Sequence, residues 1–111
     1  MLEAVNFNSP GQVVVAGHKA AVERVVEVAK ERGAKRALLL PVSVPSHCAL
    51  MKPAADQLAT VLQDVAIQAP TIPVINNADV ASPNEPDAIR DALVRQLYSP
   101  VRWVETIQKM T

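Results

Sequence analysis

The fold is decided first by residues 5–16, which read VNFNSPGQVVVA. In this stretch Val5 and Phe7 alternate with asparagines, and this period of two predicts a short strand. Proline presets φ and glycine accepts a positive φ, so residues 9–12 predict a tight turn. The three valines after the turn predict a second, more buried strand. We therefore expect a β-hairpin that ends at Gly17.

The pattern changes from period two to a helical period over residues 19–32. The apolar stripe of this predicted helix consists of Ala21, Val25, Val28 and Ala29, widened by Val22 and Val26. Gly33 stands where a left-handed residue would end the helix. Residues 36–40 then bring three leucines in succession, which predicts a strand covered on both faces.

The order strand, turn, strand, helix, strand is most of a split β-α-β arrangement, as in ferredoxin-like folds. A complete unit of this kind needs another strand and another helix before residue 1. We therefore expect an α/β protein whose first forty residues form part of a ferredoxin-like subdomain.

Beyond the third predicted strand the chain is rich in proline. Residues 41–47 are bracketed by two prolines, which excludes a regular helix there. A helix is expected to start near Ser46, with Pro53 in or near its early turns, and to run through Val65.

The last forty residues predict one short strand and two helices. The strand is expected at residues 74–75 and a loop at residues 76–79. One helix is expected over residues 87–97, with Pro86 in its first turn. The last helix is expected to start at residues 99–100 and to place Val101, Val104 and Ile107 on one side.

Length, charge and cysteine content exclude several classes of protein. The 111 residues suffice for one domain, and with three aromatic residues the core is expected to consist mainly of Val, Leu, Ile and Ala. Eleven basic and eleven acidic residues cancel, so charge gives no reason to expect nucleic acid or an anionic membrane as partner. The N-terminus has no signal-peptide pattern, and the longest apolar stretch, residues 37–44, is far shorter than the roughly 20 residues of a membrane helix. The single cysteine, Cys48, excludes an internal disulfide and a cysteine-rich metal site, so we expect no metal site and a cytoplasmic protein.

Two histidines and the cysteine are the candidates for nucleophilic or acid–base chemistry. Taken alone, His47 in its proline-rich context is more often a structural or surface residue than a catalytic one. His18 is interpreted as a residue at the junction between a strand and a helix. Cys48 adjoins His47, but neighbouring side chains usually diverge, so a buried thiol is preferred to a Cys-His dyad.

Three segments stand out together in their order and spacing: residues 6–14 (NFNSPGQVV), residues 40–51 (LPVSVPSHCALM) and residues 90–103 (RDALVRQLYSPVRW). They closely resemble the bacterial malonyl-CoA:acyl carrier protein transacylases of type II fatty acid synthesis, and the resemblance covers essentially the whole chain. It implies an enzyme with a large α/β-hydrolase-like subdomain and an inserted ferredoxin-like subdomain. By this resemblance residues 1–42 form part of the small subdomain. Residues 43–111 form part of the large subdomain and bear the catalytic histidine.

The resemblance also assigns roles to individual residues. His47 is implied as the base that takes the proton of a serine nucleophile and later protonates the leaving thiolate. The backbone carbonyl at Gln96 is implied as the group that fixes the imidazole. The residues add support, because carbonyls in the last turn of a helix have no partner within that helix and are free to accept the Nδ1 proton.

The substrate-binding residues implied by the resemblance are Asn8 and Ser46. Asn8 lies in a region that lines the acyl pocket of the family, although a side chain bonded to its own turn explains it about as well. Ser46 precedes the histidine at a position that is associated with the choice of acyl group. Four arginines are candidates for phosphates of coenzyme A or for the acidic carrier protein, with solvated surface charge as the preferred interpretation: Arg36, Arg90, Arg95 and Arg102.

The sequence departs from the family in one important respect. It contains no Gly-x-Ser-x-Gly segment, since its glycines are Gly11, Gly17 and Gly33. We therefore interpret the chain as an internal fragment, inactive alone, of an enzyme with the substrates malonyl-CoA and phosphopantetheinylated acyl carrier protein and with no cofactor. The parent enzyme is expected to be a monomer, whereas the isolated chain is expected to associate or to fold poorly. The alternative is a non-enzymatic α/β module for oligomerisation or binding.

Overall fold

The computed structural model describes residues 1–42 and 44–111 and shows a mixed α/β chain. Two strands come first, β1 (Leu2–Ser9) and β2 (Gln12–Gly17), followed by helix α1 (Lys19–Glu31). After a 3-10 turn at Ala49–Met51 come α2 (Lys52–Leu62), α3 (Pro86–Arg95) and α4 (Trp103–Met110). The expected subdomain boundary between residues 42 and 43 falls partly on Ser43, which lies outside the described residues.

The predicted hairpin is confirmed. Strands β1 and β2 pair antiparallel, with Leu2 opposite Gly17 and Phe7 opposite Val13, around the Pro10-Gly11 turn. The register shifts between Phe7 and Ser9, so the hairpin is irregular beside its turn. The carboxyl-terminal part of the chain joins the other edge of β1, because Val101 N–H donates to the Val5 carbonyl at 2.6 Å and Phe7 N–H donates to the Val101 carbonyl at 3.0 Å.

Helix α1 has the predicted position, and Gly33 ends it as predicted. Gly33 has a φ of +97°, and its N–H donates to the Lys30 carbonyl at 3.2 Å, while the N–H of Ala34 reaches Ala29 at 3.0 Å. The helix packs on β2, but its apolar stripe is only half-covered, and Val28 is 36% exposed. The exposed part of this apolar stripe could therefore be covered by a further packing partner.

Two predicted strands are wrong for the chain as described. Residues 36–40 and residues 74–75 form irregular backbone and pair with none of the described residues. The leucines at 38, 39 and 40 are 64%, 61% and 55% exposed, and Val74 is 64% exposed. A strand exists only where a neighbour accepts its backbone hydrogen bonds, and the described chain supplies no such neighbour to either segment.

The three later helices exist as predicted, but their bounds differ. The helix expected from Ser46 begins at Lys52 after the 3-10 turn and ends at Leu62 rather than at Val65. Pro53 does lie in its first turn. The helix expected at 87–97 spans Pro86–Arg95 with Glu85 at the N-cap, and the last helix begins at Trp103 because Val101 is paired with β1 instead.

The chain is thinly packed for its length. Its accessible surface is 7916 Å², whereas a compact monomer of this length exposes about 6,000 Å². Its radius of gyration is 16.2 Å, against about 13 Å for a compact domain of 111 residues. The buried residues of the described chain are few, namely Val5, Cys48, Ala55, Ala92 and Thr106. Much apolar surface that would normally be buried is therefore available for contact.

Candidate active site

His47 lies in an irregular segment just before the 3-10 turn and has an unusual backbone conformation. Its φ is +62°, and the next residue, Cys48, is extended with φ −123° and ψ 155°. A positive φ is uncommon in any residue with a β-carbon and is maintained only where surrounding contacts fix it. This conformation explains why the expected helix does not start at Ser46.

Two successive carbonyls at the end of α3 fix His47. The Nδ1 atom lies 2.8 Å from the Gln96 carbonyl oxygen, and the backbone N–H donates to the Leu97 carbonyl at 3.0 Å. A carbonyl oxygen only accepts, so Nδ1 must carry the proton of this hydrogen bond. In the neutral ring the other nitrogen, Nε2, is then unprotonated and able to act as a base.

Gln96 offers its carbonyl because it is the C-cap of α3. Its own N–H donates to Ala92 at 3.0 Å, whereas carbonyls at this end have no partner within the helix. The predicted contact between His47 and the backbone at position 96 is therefore present. The second contact, to Leu97, was not predicted, although the same rule about the last helical turn applies to it.

The Cys48 side chain contacts other groups than the imidazole does. Its Sγ lies 3.9 Å from both the Met1 Sδ and the Ala16 carbonyl oxygen, and the residue is 0% exposed. Burial raises the pKa of this thiol above its ordinary value of 9.0, and the nearby Glu3 carboxylate acts in the same direction. These contacts agree with a buried, protonated thiol rather than with a Cys-His dyad.

Glu3 is a site residue that the sequence did not indicate. Its Oε2 accepts the N–H of Ala49 at 2.8 Å. This bond satisfies one donor at the start of the 3-10 turn and ties the segment after His47 to β1. Only the fold brings positions 3 and 49 together, so no local pattern could have revealed the contact.

The predicted substrate-binding residues lie in different elements. Asn8 is half-buried in β1, within the irregular register beside the turn. Ser46 is exposed, and its N–H donates to the Val44 carbonyl at 2.9 Å. Asn8 shares its strand with Asn6, which bridges Val101 five positions beyond Gln96. Ser46 is therefore the direct chain neighbour of His47, whereas the described contacts do not join Asn8 to the His47–Gln96 pair.

Most of the candidate arginines are engaged inside the chain. Arg90 donates to the Leu62 and Val65 carbonyls, Arg95 to Asp91 and Asp79, and Arg102 to Glu105. Arg36 lies exposed in the irregular segment after α1. The contacts of the first three favour structural ion pairs and caps over a phosphate site.

The described residues offer neither a cluster of metal ligands nor a membrane-spanning helix. Residues 1–42 and 44–111 contain no group of three or more His, Cys, Asp or Glu side chains arranged to hold a metal ion. In the same described part of the chain, no helix combines the length and apolar character needed to cross a membrane.

Comparison with known proteins gives a consistent result. The model of the acyl transferase domain family matches residues 2–111. The malonyl CoA-acyl carrier protein transacylase of Haemophilus influenzae is 67% identical over 110 residues, which cover 99% of this chain and 35% of the relative. That of Escherichia coli K12 is 64% identical, over 99% of this chain and 36% of the relative.

Solved structures agree with this. An acyl carrier protein S-malonyltransferase from Vibrio cholerae has a TM-score of 0.95 and 65% identity, over 98% of this chain and 36% of that one. A malonyl-transacylase solved in complex with a type II PKS acyl-carrier protein has a TM-score of 0.97 and 61% identity, over 99% and 36% of the two chains. The chain spans about a third of the length of the relatives that it matches. It belongs to the acyl transferase domain family.

Proposed function

We propose that this chain is the histidine-bearing part of an acyltransferase that moves malonyl from coenzyme A to the phosphopantetheine thiol of acyl carrier protein. His47 acts as general base and general acid, and the Gln96 carbonyl orients it. The observation that carries the proposal is the 2.8 Å contact between His47 Nδ1 and the Gln96 oxygen. This contact leaves Nε2 as the basic nitrogen, which is the state that a general base requires.

The reaction consists of two acyl transfers through a seryl ester. In the first, Nε2 takes the proton of a serine hydroxyl while the oxygen attacks the thioester carbonyl. The C–S bond breaks, and the imidazolium returns the proton to the coenzyme A thiolate. In the second, Nε2 takes the proton of the carrier-protein thiol, the sulfur attacks the ester, and the imidazolium protonates the serine oxygen. Proton and acyl group are thus balanced, and the cycle calls for no cofactor.

The 111 residues do not supply the nucleophilic serine within the motif that the family uses. The sequence contains no Gly-x-Ser-x-Gly segment, in which a strand-to-helix turn would expose a serine. We infer that the 111 residues alone transfer no malonyl, and that activity requires the remainder of an acyltransferase around His47.

The arrangement of the parent protein follows from the same proposal. Residues 1–42 belong to a ferredoxin-like subdomain and residues 43–111 to an α/β-hydrolase-like subdomain, in a cytoplasmic, monomeric enzyme. The hairpin and α1 support the first assignment, and the half-covered stripe of α1 supports additional elements packing there.

Substrates and partners are assigned by the same reasoning. Malonyl-CoA is the acyl donor, with Asn8 and Ser46 in contact with it beside His47. The carrier protein is the acceptor, and a relative solved together with an acyl-carrier protein supports this choice. The cancelling charges give no support to nucleic acid or an anionic membrane as a partner.

The proposal is tested by grafting. The matched segment of the Escherichia coli relative, 64% identical, is replaced by this chain, and malonyl transfer to carrier protein is measured. We expect the graft to be active and His47→Gln to lower kcat by about 10²- to 10⁴-fold. His18→Gln is the matched control, because His18 is the other histidine and lies exposed at the N-cap of α1.

The outcomes are distinct. If the His47→Gln graft keeps a kcat/KM within a few-fold of the unmodified graft, little transition-state stabilisation has been lost. His47 would then not be the base. Transfer by the isolated 111 residues would contradict the assignment of the nucleophile to another part of the enzyme.

A non-enzymatic association module remains the second candidate, favoured by the exposed leucines at 38–40. This alternative predicts that the isolated chain forms an oligomer of defined size and that the graft is inactive. An active graft whose activity depends on His47 excludes it as the main function of these residues.

A further inference from the structure

The loop between α2 and α3 reaches the end of α3 through one ion pair. Asp79 Oδ2 lies 3.0 Å from Nη2 of Arg95, the last residue of the helix and the direct neighbour of Gln96. Arg95 also bonds Asp91 at 2.7 Å, but Asp91 is on the same helix. The pair with Asp79 is therefore the one that connects this guanidinium to a different segment.

The loop is itself fixed at both ends of its turn. Asn76 N–H and Nδ2 donate to the Ala81 carbonyl at 2.9 and 3.1 Å, and Asn76 Oδ1 accepts the Asp79 N–H at 3.0 Å. Val80 has a φ of +54°, a strained value for a β-branched residue. A loop held in this way presents the Asp79 carboxylate at a defined position rather than as a mobile surface charge.

The same loop also holds the segment that follows Gln96. The Asn77 carbonyl accepts the N–H of Arg102 at 3.3 Å, and Asn77 Oδ1 lies 3.4 Å from the Thr106 hydroxyl. Residues 96–101, which contain both carbonyls that fix His47, are thus bracketed by Asp79 on Arg95 and by Asn77 on α4. Contacts from the same loop therefore hold this short segment at both of its ends.

We propose that Asp79 is a positioning residue for the acyl transfer, acting through Arg95 to hold the Gln96 carbonyl against His47 Nδ1. This inference rests on the proposed function of His47. Displacing the carbonyl weakens the bond that fixes the imidazole tautomer, so a smaller fraction of molecules presents a basic Nε2. A misplacement of about 1 Å at such a contact is enough to lower a rate substantially.

The charges around the pair agree with this role. Partial burial would raise the pKa of Asp79, but the hydrogen bonds from Arg95 and Asn76 outweigh it and lower that pKa. Asp79 is therefore ionised at neutral pH and available to the guanidinium. The side chains of Arg95 and Asp79 are 31% and 41% exposed, so the pair contributes little to overall stability and acts mainly on local geometry.

The test uses the full-length graft and two matched alanine substitutions. Asp79→Ala removes the link between loop and helix, and Asp91→Ala removes a carboxylate from the same arginine without touching that link. We expect Asp79→Ala to lower kcat about tenfold, with KM for malonyl-CoA within about twofold, and Asp91→Ala to change neither by more than about twofold. Asp79→Asn should recover part of the rate, because its amide oxygen still accepts from Arg95.

A spectroscopic readout separates positioning from general damage. With ¹⁵N-histidine labelling, the Nδ1–H signal of His47 should weaken in Asp79→Ala and persist in Asp91→Ala, while the melting temperatures of both stay near that of the graft. The inference is overturned if Asp79→Ala leaves kcat and this signal unchanged, or if both alanine variants lose rate and melting temperature together. A graft that is insensitive to His47→Gln would instead overturn the proposed function.

Discussion

The backbone N–H of His47 donates to the Leu97 carbonyl at 3.0 Å while His47 holds a φ of +62°. The hydrogen bond and the left-handed backbone occur together, and in this conformation both the N–H and the imidazole contact carbonyls at the end of α3. A left-handed residue with a β-carbon costs about 1–2 kcal/mol relative to the same residue in a right-handed helix. The site therefore contains a small amount of backbone strain.

This strain predicts that position 47 favours glycine over a β-branched residue. In the grafted enzyme His47→Gly should be more stable than His47→Val by about 1–2 kcal/mol, because glycine accepts a positive φ and valine does not. Urea unfolding followed by circular dichroism measures the difference. The same two substitutions at exposed Ser46 are the control and should show no preference for glycine. Equal stability of the two variants at 47 would contradict the strain.

Local patterns predicted the elements that local interactions stabilise. The hairpin needs only alternating residues and the Pro10-Gly11 turn, and α1 needs only its stripe and Gly33, so both were foreseen. The strands expected at 36–40 and 74–75 failed, because a strand requires a partner that is distant in sequence. The length and type of the apolar runs give no information on whether the partner is present in the same chain.

The site was predictable to a similar extent. The resemblance indicated His47 and Gln96, and the free carbonyls at a helix end supplied the physical reason for their contact. The positive φ at His47 could not be foreseen, since histidine adopts it only occasionally and the flanking residues do not require it. The contacts Glu3–Ala49 and Asp79–Arg95 join residues far apart in sequence and follow only from the fold.

Arg90 is predicted to matter for stability rather than for catalysis. Its Nε donates to the Leu62 carbonyl at 3.1 Å and its Nη2 to the Val65 carbonyl at 2.8 Å, which ties the end of α2 to α3. Arg90→Ala should lower the free energy of unfolding of the graft by about 1–3 kcal/mol, because two carbonyls lose a charged donor. Arg90→Lys should not restore it, since a single ammonium cannot reproduce the two-pronged geometry.

Asp87→Ala is the matched control for Arg90. Asp87 is the ion-pair partner of Arg90 on the same helix, but its side chain is 98% exposed. Its loss should change the free energy of unfolding by no more than about 0.5 kcal/mol, apart from a small effect on the helix terminus. If Asp87→Ala and Arg90→Ala destabilise equally, the ion pair rather than the carbonyl contacts would be the relevant interaction.

Association of the isolated chain is predicted from its uncovered leucines. Leu38, Leu39 and Leu40 are all more than half exposed, and the total surface exceeds that of a compact monomer by a large margin. Sedimentation velocity should therefore show oligomers or aggregates, and Leu38→Lys combined with Leu40→Lys should shift the distribution toward smaller species. Gln63→Lys, at an exposed polar position, is the control and should have no such effect. A monomeric boundary together with a sharp cooperative melt would contradict the prediction.

The Cys48 thiol is predicted to resist alkylation in the folded graft. It is 0% exposed, and its pKa is raised above 9.0 by burial, so both access and thiolate formation are unfavourable. Iodoacetamide should modify Cys48 at least about tenfold more slowly than a cysteine placed two residues upstream by Ser46→Cys in a Cys48→Ala background, measured by mass spectrometry of the peptide.

The raised pKa of the Cys48 thiol also predicts how the free energy of unfolding changes with pH. Above pH 9 the unfolded thiol ionises before the folded one, so the folded state loses stability as pH rises through the folded pKa. Cys48→Ala should remove that part of the alkaline decline, and a graft in which Cys48 reacts as fast as the cysteine at 46 would show that the thiol is not buried.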